Sequence, residues 1–142
     1  MLNHITLRVS DLAESKKFFR GALAPLGYQL LFEKPRSAGF GQEDIEGKRD
    51  FWIKAGDTLW MNEMKKGKVK SFSCLAFTAT SREQVDLFYK AALLAGAKDN
   101  GPPGYRTRYH PGYYAAYVLD PVDGYNIEAV YDDLEKLREY GG

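Results

Sequence analysis

The sequence predicts an α+β fold in which two pseudo-symmetric βαβββ modules form an open, incomplete barrel around a cleft. The main observation is an internal repeat: HITLRVSDLAESKKFFRGAL, which begins at His4, matches CLAFTATSREQVDLFYKAAL, which begins at Cys74, without a gap and at a spacing of 70 residues. Each copy has a strand, a helix start signal and an amphipathic helix, followed by β-rich sequence. Two copies are too few for a solenoid, so we expect a pseudo-symmetric pair.

The elements after each helix are assigned from their composition and turn residues. The first helix is expected to end near Gly27, and the strands YQLLFEK, AGFGQ and DFWIKAG follow, with DTLWMNEM continuing this β-rich region. A capping box from Thr80 to Glu83 begins the second helix, which ends near Gly96. The segment AKDN, a loop GPPGYRTRYHPG and the strands YYAAYVLD and YNIEAVY complete the chain's second half, with a turn at Asp123-Gly124.

These assignments predict one domain over residues 1–142. Module 1 covers about residues 1–64, a lysine-rich linker covers 65–70, and module 2 covers about 71–131. The residues from 132 to 142 are predicted to form a short surface helix.

Composition excludes several classes of function. A net charge of +1 gives no reason to expect a nucleic acid partner, and no apolar run approaches the roughly 20 residues that span a bilayer. The N-terminus lacks the pattern of a signal peptide, and the single cysteine, Cys74, has no internal disulfide partner. We therefore expect a cytoplasmic protein without a nucleic acid or membrane partner.

Strand alternation places three chemically active side chains on faces that the helices do not cover. Ile5, Leu7 and Val9 share one face of the first strand, whereas His4 lies on the other face with Thr6 and Arg8. Cys74 is the repeat-related equivalent of His4, and Glu128 is an acid within an apolar strand. His, Cys and Glu are all plausible ligands of a divalent metal. The alternatives are a hydrogen-bonded histidine, a cysteine that acts as a small buried hydrophobe, and a salt bridge between Glu128 and Arg8 or another cation of the cleft.

The loop GYRTRYHPGYY is the second informative segment. Arg106 and Arg108 could clamp an oxyanion, and Tyr105, Tyr109, Tyr113 and Tyr114 could line a pocket beneath a flexible lid. His110 has the side chain best suited to proton transfer near neutral pH. A solvated loop is the alternative for the arginines.

With these motifs the chain resembles the vicinal oxygen chelate superfamily, which includes glyoxalase I, bleomycin-resistance proteins and extradiol dioxygenases. The resemblance covers HITLRVSD, CLAFTATSREQVDLFYKAALLAGA and YYAAYVLDPVDGYNIEAV, of which the last is the most specific. It implies that His4 and Glu128 occupy the first and last metal-ligand positions. Cys74 stands where the family usually has histidine, and Trp52 stands where glyoxalase-type members have a carboxylate. Asp50, on the same strand face two residues earlier, is the alternative for that position.

The resemblance implies a metal-dependent lyase or isomerase, similar to lactoylglutathione lyase, that acts on a small oxygen-rich substrate. A divalent ion (Zn, Ni, Mn or Fe) would be held by His4, Cys74 and Glu128. Glu128 and His110 would be catalytic, and the substrate would contact Trp52, Arg106, Arg108, Tyr113 and Tyr117. The alternatives are a metal-free binding protein of the bleomycin-resistance type and, third, an extradiol-type dioxygenase. Whether the modules close one cleft within a chain or exchange between the chains of a homodimer stays open.

Overall fold

A computed structural model describes residues 2–43, 48–67 and 74–141 of the chain. The first module contains β1 (Ile5–Val9), α1 (Leu12–Leu23), β2 (Tyr28–Lys34), β3 (Ser37–Gln42), β4 (Phe51–Ala55) and α2 (Thr58–Lys65). The second contains β5 (Leu75–Thr78), α3 (Arg82–Leu94), β6 (Lys98–Tyr105), β7 (Tyr113–Leu119), β8 (Asn126–Asp132) and α4 (Leu134–Gly141). The predicted pair of βαβββ modules is therefore confirmed. Most of the predicted linker lies outside the described residues.

The two sheets have the same strand order and matching registers. The orders are β1-β4-β3-β2 and β5-β8-β7-β6, with the first strand of each module parallel to the last. Thr6 pairs with Trp52 in the first module, and Ala76, its equivalent at the repeat spacing, pairs with Glu128 in the second. The sequence alignment of Trp52 with Glu128 is thus correct.

Side-chain caps begin the helices, and one of them differs from the prediction. The Asp11 carboxylate accepts from Glu14 N at the start of α1. For α3 the N-cap is Ser81, whose hydroxyl accepts from Gln84 N, while the Gln84 side chain accepts from Thr80 N. The predicted box from Thr80 to Glu83 is therefore wrong by one position, because Gln84 supplies the reciprocal bond.

Two of the secondary-structure predictions are wrong. The segment DTLWMNEM forms the helix α2, because the Asp57 carboxylate caps it by accepting from Trp60 N at 2.8 Å and Trp60 is buried. Part of the predicted loop, including Pro102 and Pro103, belongs to strand β6. This strand lies at the edge of its sheet and contains two register shifts, which is where prolines are tolerated.

The turn between β7 and β8 lies where it was predicted, but of Asp123 and Gly124 only the glycine has a positive φ, +76°, a conformation that favours glycine. The loop is longer than a two-residue hairpin turn, because the last paired residues are Leu119 and Asn126. The Asp120 carboxylate is buried and accepts from the backbone N–H groups of Val122, Asp123 and Tyr125. These bonds fix the direction in which β8 begins and hence the position of Glu128.

One hydrophobic core serves both modules. Helices α1 and α3 contact each other, and each lies on one face of its own sheet. Phe77 of the second module packs edge-on against Phe51 and Tyr28 of the first, with ring centroids 5.3 Å apart in both pairs. The opposite, open face of the sheets is exposed at Thr6, Arg8, Ala76 and Thr78, among others. In the described ranges, no helix has the length and apolar character needed to cross a membrane.

Candidate functional site

Glu128 lies near the centre of the open face of the second sheet. It pairs with Ala76 on β5 and with Tyr117 on β7, and only 7% of it is exposed. The Cys74 thiol and the Asn126 amide donate hydrogen bonds to its carboxylate, the latter at 3.3 Å. Burial raises the pKa of Glu128, while these two donors and the charge of Arg106 oppose the rise. Glu128 is therefore a buried acid held by polar neighbours, not a surface carboxylate.

Cys74 is the immediate neighbour of this acid. The residue is exposed, and the pKa of its thiol is raised by desolvation and by the charge and hydrogen bond of Glu128. Its thiol is thus held in the protonated state and donates to Glu128. The interpretation of Cys74 as a buried hydrophobe is wrong, since the structure leaves it exposed beside an acid.

Tyr117 stands next to Glu128 on the adjacent strand. Only 8% of it is exposed, and its buried hydroxyl has no hydrogen-bond partner among the described residues. Its ring occupies the space above Gly101, where a Cβ atom would come within 2.5 Å of Cδ2. A buried hydroxyl without a partner costs free energy that an added hydrogen bond would recover. This is the type of defect expected at a binding site.

Arg106 covers Tyr117 from the loop between β6 and β7. The centre of its guanidinium group lies 5.0 Å from the centroid of the Tyr117 ring, and Nη2 donates to Pro102 O at 2.5 Å. Its charge lowers the pKa of Glu128 and that of Tyr117. No ion pair between Glu128 and Arg8 is found in the described part of the chain, so Arg106 is the cation that acts on this acid.

The residues Glu128, Cys74, Asn126, Tyr117 and Arg106 are called the Glu128 cluster below. The other predicted loop residues lie either in contact with this cluster or on the surface. Tyr113 is half-buried beside the cluster, and desolvation together with the Glu128 charge raises its pKa to about 12. Arg108 is exposed, and its guanidinium group lies 4.9 Å from the Tyr109 ring. The hydroxyl groups of Tyr105 and Tyr114 are engaged elsewhere: that of Tyr105 donates to Asp133, and that of Tyr114 donates to Asp86. Only some of the predicted pocket tyrosines therefore face Glu128.

His110 has a partner for each ring nitrogen. Gly112 N donates to Nδ1 at 3.1 Å, which leaves the proton of a neutral ring on Nε2, 2.8 Å from Asp132 Oδ1. These contacts tie the loop to the end of β8. The acid–base role of His110 stays a prediction, and it requires the Asp132 contact to open.

In the first module an aromatic cluster occupies the equivalent place. Trp52 is half-buried, its Nε1 donates to Arg49 O at 2.9 Å, and its ring centroid is 5.7 Å from that of Phe32. Gly39 provides the space, because a Cβ there would lie 2.8 Å from the indole. Trp52 therefore offers an apolar wall and an engaged N–H, but no metal donor.

The predicted metal ligands are not assembled within one chain. His4 is exposed, its Nδ1 is 2.8 Å from Asn3 Oδ1, and it precedes β1. The far end of β1 lies beside the start of β8, where Tyr125 Oη donates to Arg8 O at 2.6 Å. Of the residues that the structure describes, no three His, Cys, Asp or Glu side chains form a group able to hold a metal ion. Cys74 and Glu128 are in contact, but His4 does not lie with them. The three side chains therefore cannot coordinate one metal ion within a single chain.

Asn126 and Gly101 belong to the site but were not singled out from the sequence. Asn126 lies on the same face of β8 as Glu128, and strand alternation could have found it. Gly101 pairs with Tyr117 across a register shift, and no sequence signal identifies that pairing.

Comparisons with known proteins identify the family and support the fold. The family model "Glyoxalase/Bleomycin resistance protein/Dioxygenase superfamily" matches residues 1–129. A glyoxalase/bleomycin resistance protein from Albidiferax ferrireducens is 28% identical with a TM-score of 0.68, and the match covers 91% of this chain and 96% of that one. A glyoxalase/bleomycin resistance protein/dioxygenase family enzyme from Burkholderia phytofirmans is 21% identical with a TM-score of 0.67, over 92% and 98% of the two chains, which supports the fold alone.

A glyoxalase I mutant from Zea mays is also similar, at 24% identity and a TM-score of 0.67. That match covers 94% of this chain but 48% of the plant protein. No curated protein sequence matches this chain. The repeated modules, the registers and the extent of the family match lead to one conclusion. The chain belongs to the glyoxalase/bleomycin resistance protein/dioxygenase superfamily.

Proposed function

We propose that this protein binds a small oxygen-rich molecule, without a metal, on the open face of its second sheet. Glu128 would accept a hydrogen bond from a hydroxyl of the ligand, the Tyr117 hydroxyl would donate to a second oxygen, and Arg106 would balance negative charge. The observation that carries this proposal is the buried, unpartnered Tyr117 hydroxyl beside a buried acid. Ligand binding would give that hydroxyl the partner it lacks.

The binding reaction has to move Arg106. Its guanidinium group lies over the face of the Tyr117 ring and donates to Pro102 O, so a ligand that reaches the Tyr117 hydroxyl from this side would displace it. A ligand oxygen that replaces Pro102 O as the acceptor would draw Arg106 aside at little cost, since the guanidinium group keeps a hydrogen bond throughout. This supports a ligand that carries both a hydroxyl and an anionic or carbonyl oxygen.

The donor chemistry favours binding over metal catalysis in a single chain. Cys74 and Glu128 are the two metal-donor side chains in contact, and no third His, Cys, Asp or Glu of the described residues joins them. The place of a fourth ligand is taken by the indole of Trp52. Two polar groups in contact are too few for a structural or catalytic divalent site.

The test is an NMR titration of the ¹⁵N-labelled protein with glycolate and with catechol, each of which carries two adjacent oxygens. We expect shifts at the amides of Glu128 and Tyr117, and at least a tenfold loss of affinity in Arg106→Gln. Lys136→Gln is the matched control, because Lys136 also lies over a tyrosine ring, that of Tyr105 at 4.7 Å, outside the cluster. Absence of binding by both compounds, or equal affinity of the two variants, would contradict the proposal.

A metal-dependent lyase or isomerase is the second candidate, and the contact between Cys74 and Glu128 favours it. The missing donor would be His4 of a second copy. A homodimer is a reasonable source because the open faces are exposed, and the first sheet there carries the cations Lys34 and Arg49 over Phe32, at 5.4 and 5.6 Å. Such a face complements the acid on the second sheet.

Metal analysis and light scattering of untagged protein distinguish the two candidates. A dimer that carries close to one equivalent of Zn, Ni, Mn or Fe, lost in both His4→Ala and Glu128→Ala, would establish the metal enzyme and overturn the metal-free proposal. Protein that contains no metal and still binds glycolate or catechol would support the metal-free proposal. A cytoplasmic location stays a prediction.

A further inference from the structure

The boundary between the two modules contains a cavity that is separate from the Glu128 cluster. Its volume is about 470 Å³. Both modules line it, with Tyr28, Asp50 and Phe51 from the first and Leu75, Phe77 and Thr78 from the second. Neither Glu128 nor Tyr117 is among its lining residues. The aromatic and aliphatic side chains share the lining with polar ones, His4, Gln42 and Thr80 among them, so the cavity suits an apolar group that carries a polar end.

The pseudo-symmetry of the fold shows what the cavity lacks. At the opposite end of the boundary, Tyr125 is buried, and its hydroxyl crosses to the first module to donate to Arg8 O at 2.6 Å. The pair Ile5–Phe51 in the first sheet corresponds to the pair Leu75–Ile127 in the second. With this correspondence Arg49 is the equivalent of Tyr125, and Thr78 is the equivalent of Arg8. Arg49 places its guanidinium group 5.6 Å from the centroid of the Phe32 ring, and it is not among the residues that line the cavity. One end is therefore closed by an aromatic side chain, and the equivalent end, lined by Thr78, is open.

Asp50 gives the cavity its charge. Tyr28 Oη donates to Asp50 Oδ2 at 3.0 Å, and the buried Oδ1 atom has no hydrogen-bond partner in the described ranges. No ion pair joins Asp50 to another described residue. A carboxylate with a buried, unpartnered oxygen beside a partly aromatic cavity favours a ligand that is both cationic and a hydrogen-bond donor, and a small local shift would let such a ligand reach Oδ1.

We infer that this cavity binds a small arylalkylammonium ion. The aromatic ring would take the place that Tyr125 fills at the other end, against Phe51 and Phe77, and the ammonium group would donate to Asp50. This inference is independent of the metal-free function proposed for Glu128, Tyr117 and Arg106, because none of these residues lines the cavity.

The test is a titration of ¹⁵N-labelled protein with phenethylamine, with phenethyl alcohol and hydrocinnamate as neutral and anionic analogues of similar shape. We expect phenethylamine to shift the amides of Leu75, Phe77 and Thr78 and to bind at least tenfold more tightly than either analogue. Asp50→Asn should weaken phenethylamine binding at least tenfold. Equal binding of the alcohol and the amine would overturn the role of Asp50, and no binding of the amine would overturn the site.

A second pair of variants keeps the test decisive if Asp50→Asn misfolds. Thr78 is exposed on the cavity wall, so Thr78→Trp should fill the cavity and abolish phenethylamine binding while the protein stays folded. Arg8→Trp is the matched control at the equivalent position of the closed end, and it should bind like the wild type. Wild-type affinity in Thr78→Trp would contradict the inference. Glu128→Gln should not change phenethylamine binding, whatever it does to glycolate or catechol.

Discussion

The two modules share their topology and registers but differ in what they present on the open face. At equivalent positions of the last strand, the first module has Trp52 and the second module has Glu128. Each places an aromatic ring over a glycine: Trp52 over Gly39, and Tyr117 over Gly101. In the first module the ring's polar atom is hydrogen-bonded, whereas in the second the Tyr117 hydroxyl has no hydrogen-bond partner among the residues described. The repeat thus preserves the scaffold, and polar chemistry is concentrated in the second module.

The largest expected effect concerns the contact that joins the modules. Phe77→Ala should destabilise the protein by about 3–5 kcal/mol, because it empties a site packed against Phe51 and Tyr28. Since one core serves both modules, they should still unfold in a single transition. Urea denaturation followed by both fluorescence and circular dichroism measures this. Two separate transitions in the wild type would mean that the modules are independent.

The glycines beneath the aromatic rings should be the next most sensitive positions. Gly39→Ala and Gly101→Ala should each cost about 1–3 kcal/mol, because the new methyl group would meet the ring. The cost at Gly101 should be larger, since its φ is +152°. Gly21→Ala is the control: it lies in α1 with ordinary contact distances, so thermal melts should show no loss of stability. Equal melting temperatures for all of these variants would contradict the packing described.

Removal of a hydroxyl should have opposite effects on two buried tyrosines of the second module. Tyr125→Phe loses the hydrogen bond to Arg8 O and should be destabilised by about 1 kcal/mol. Tyr117→Phe removes a buried hydroxyl without a partner and should keep or gain stability, by up to about 1 kcal/mol. Chemical denaturation compares them directly. Tyr117→Phe should also weaken glycolate or catechol binding, and a stability loss there as large as in Tyr125→Phe would mean that the hydroxyl has a partner in solution.

The smallest effect is the pH dependence that Glu128 adds to the second module. Burial raises the pKa of its carboxyl, so the native state keeps this proton at pH values where the unfolded chain has lost it. Its contribution to stability is full below the unfolded pKa, about 4.3, and is lost as the pH rises through the folded pKa. Glu128→Gln should remove this decline, which melting temperatures measured from about pH 4 to pH 8 would detect. An unchanged profile would show that Glu128 is solvated.

The same variant should change the reactivity of Cys74. The Glu128 carboxylate raises the pKa of the thiol, so Glu128→Gln should shift the alkylation rate profile of Cys74 to lower pH. Iodoacetamide kinetics on the folded protein measure this shift. A profile that stays in place would mean that the two side chains do not interact in solution.

The sequence alone determined the modular architecture and the faces of the strands. A gapless repeat and side-chain alternation depend on local periodicity, which each segment expresses wherever it packs. This is why the alignment of Trp52 with Glu128 and the position of the Asp123-Gly124 turn were predicted correctly. Local signals failed where two choices were similar in strength, as in the capped helix α2 and the proline-containing edge strand β6.

Only the tertiary structure decided which polar groups meet. Cys74 reaches Glu128 because β5 and β8 pair in parallel, while His4 lies at the end of β1 remote from the start of β8. The unpartnered Tyr117 hydroxyl and the cavity at Asp50 also depend on contacts between segments far apart in the chain. Periodicity says which face a side chain occupies but not how two modules are turned against each other, because that arrangement is set by the packing of helices α1 and α3 and of Phe77 in the shared core.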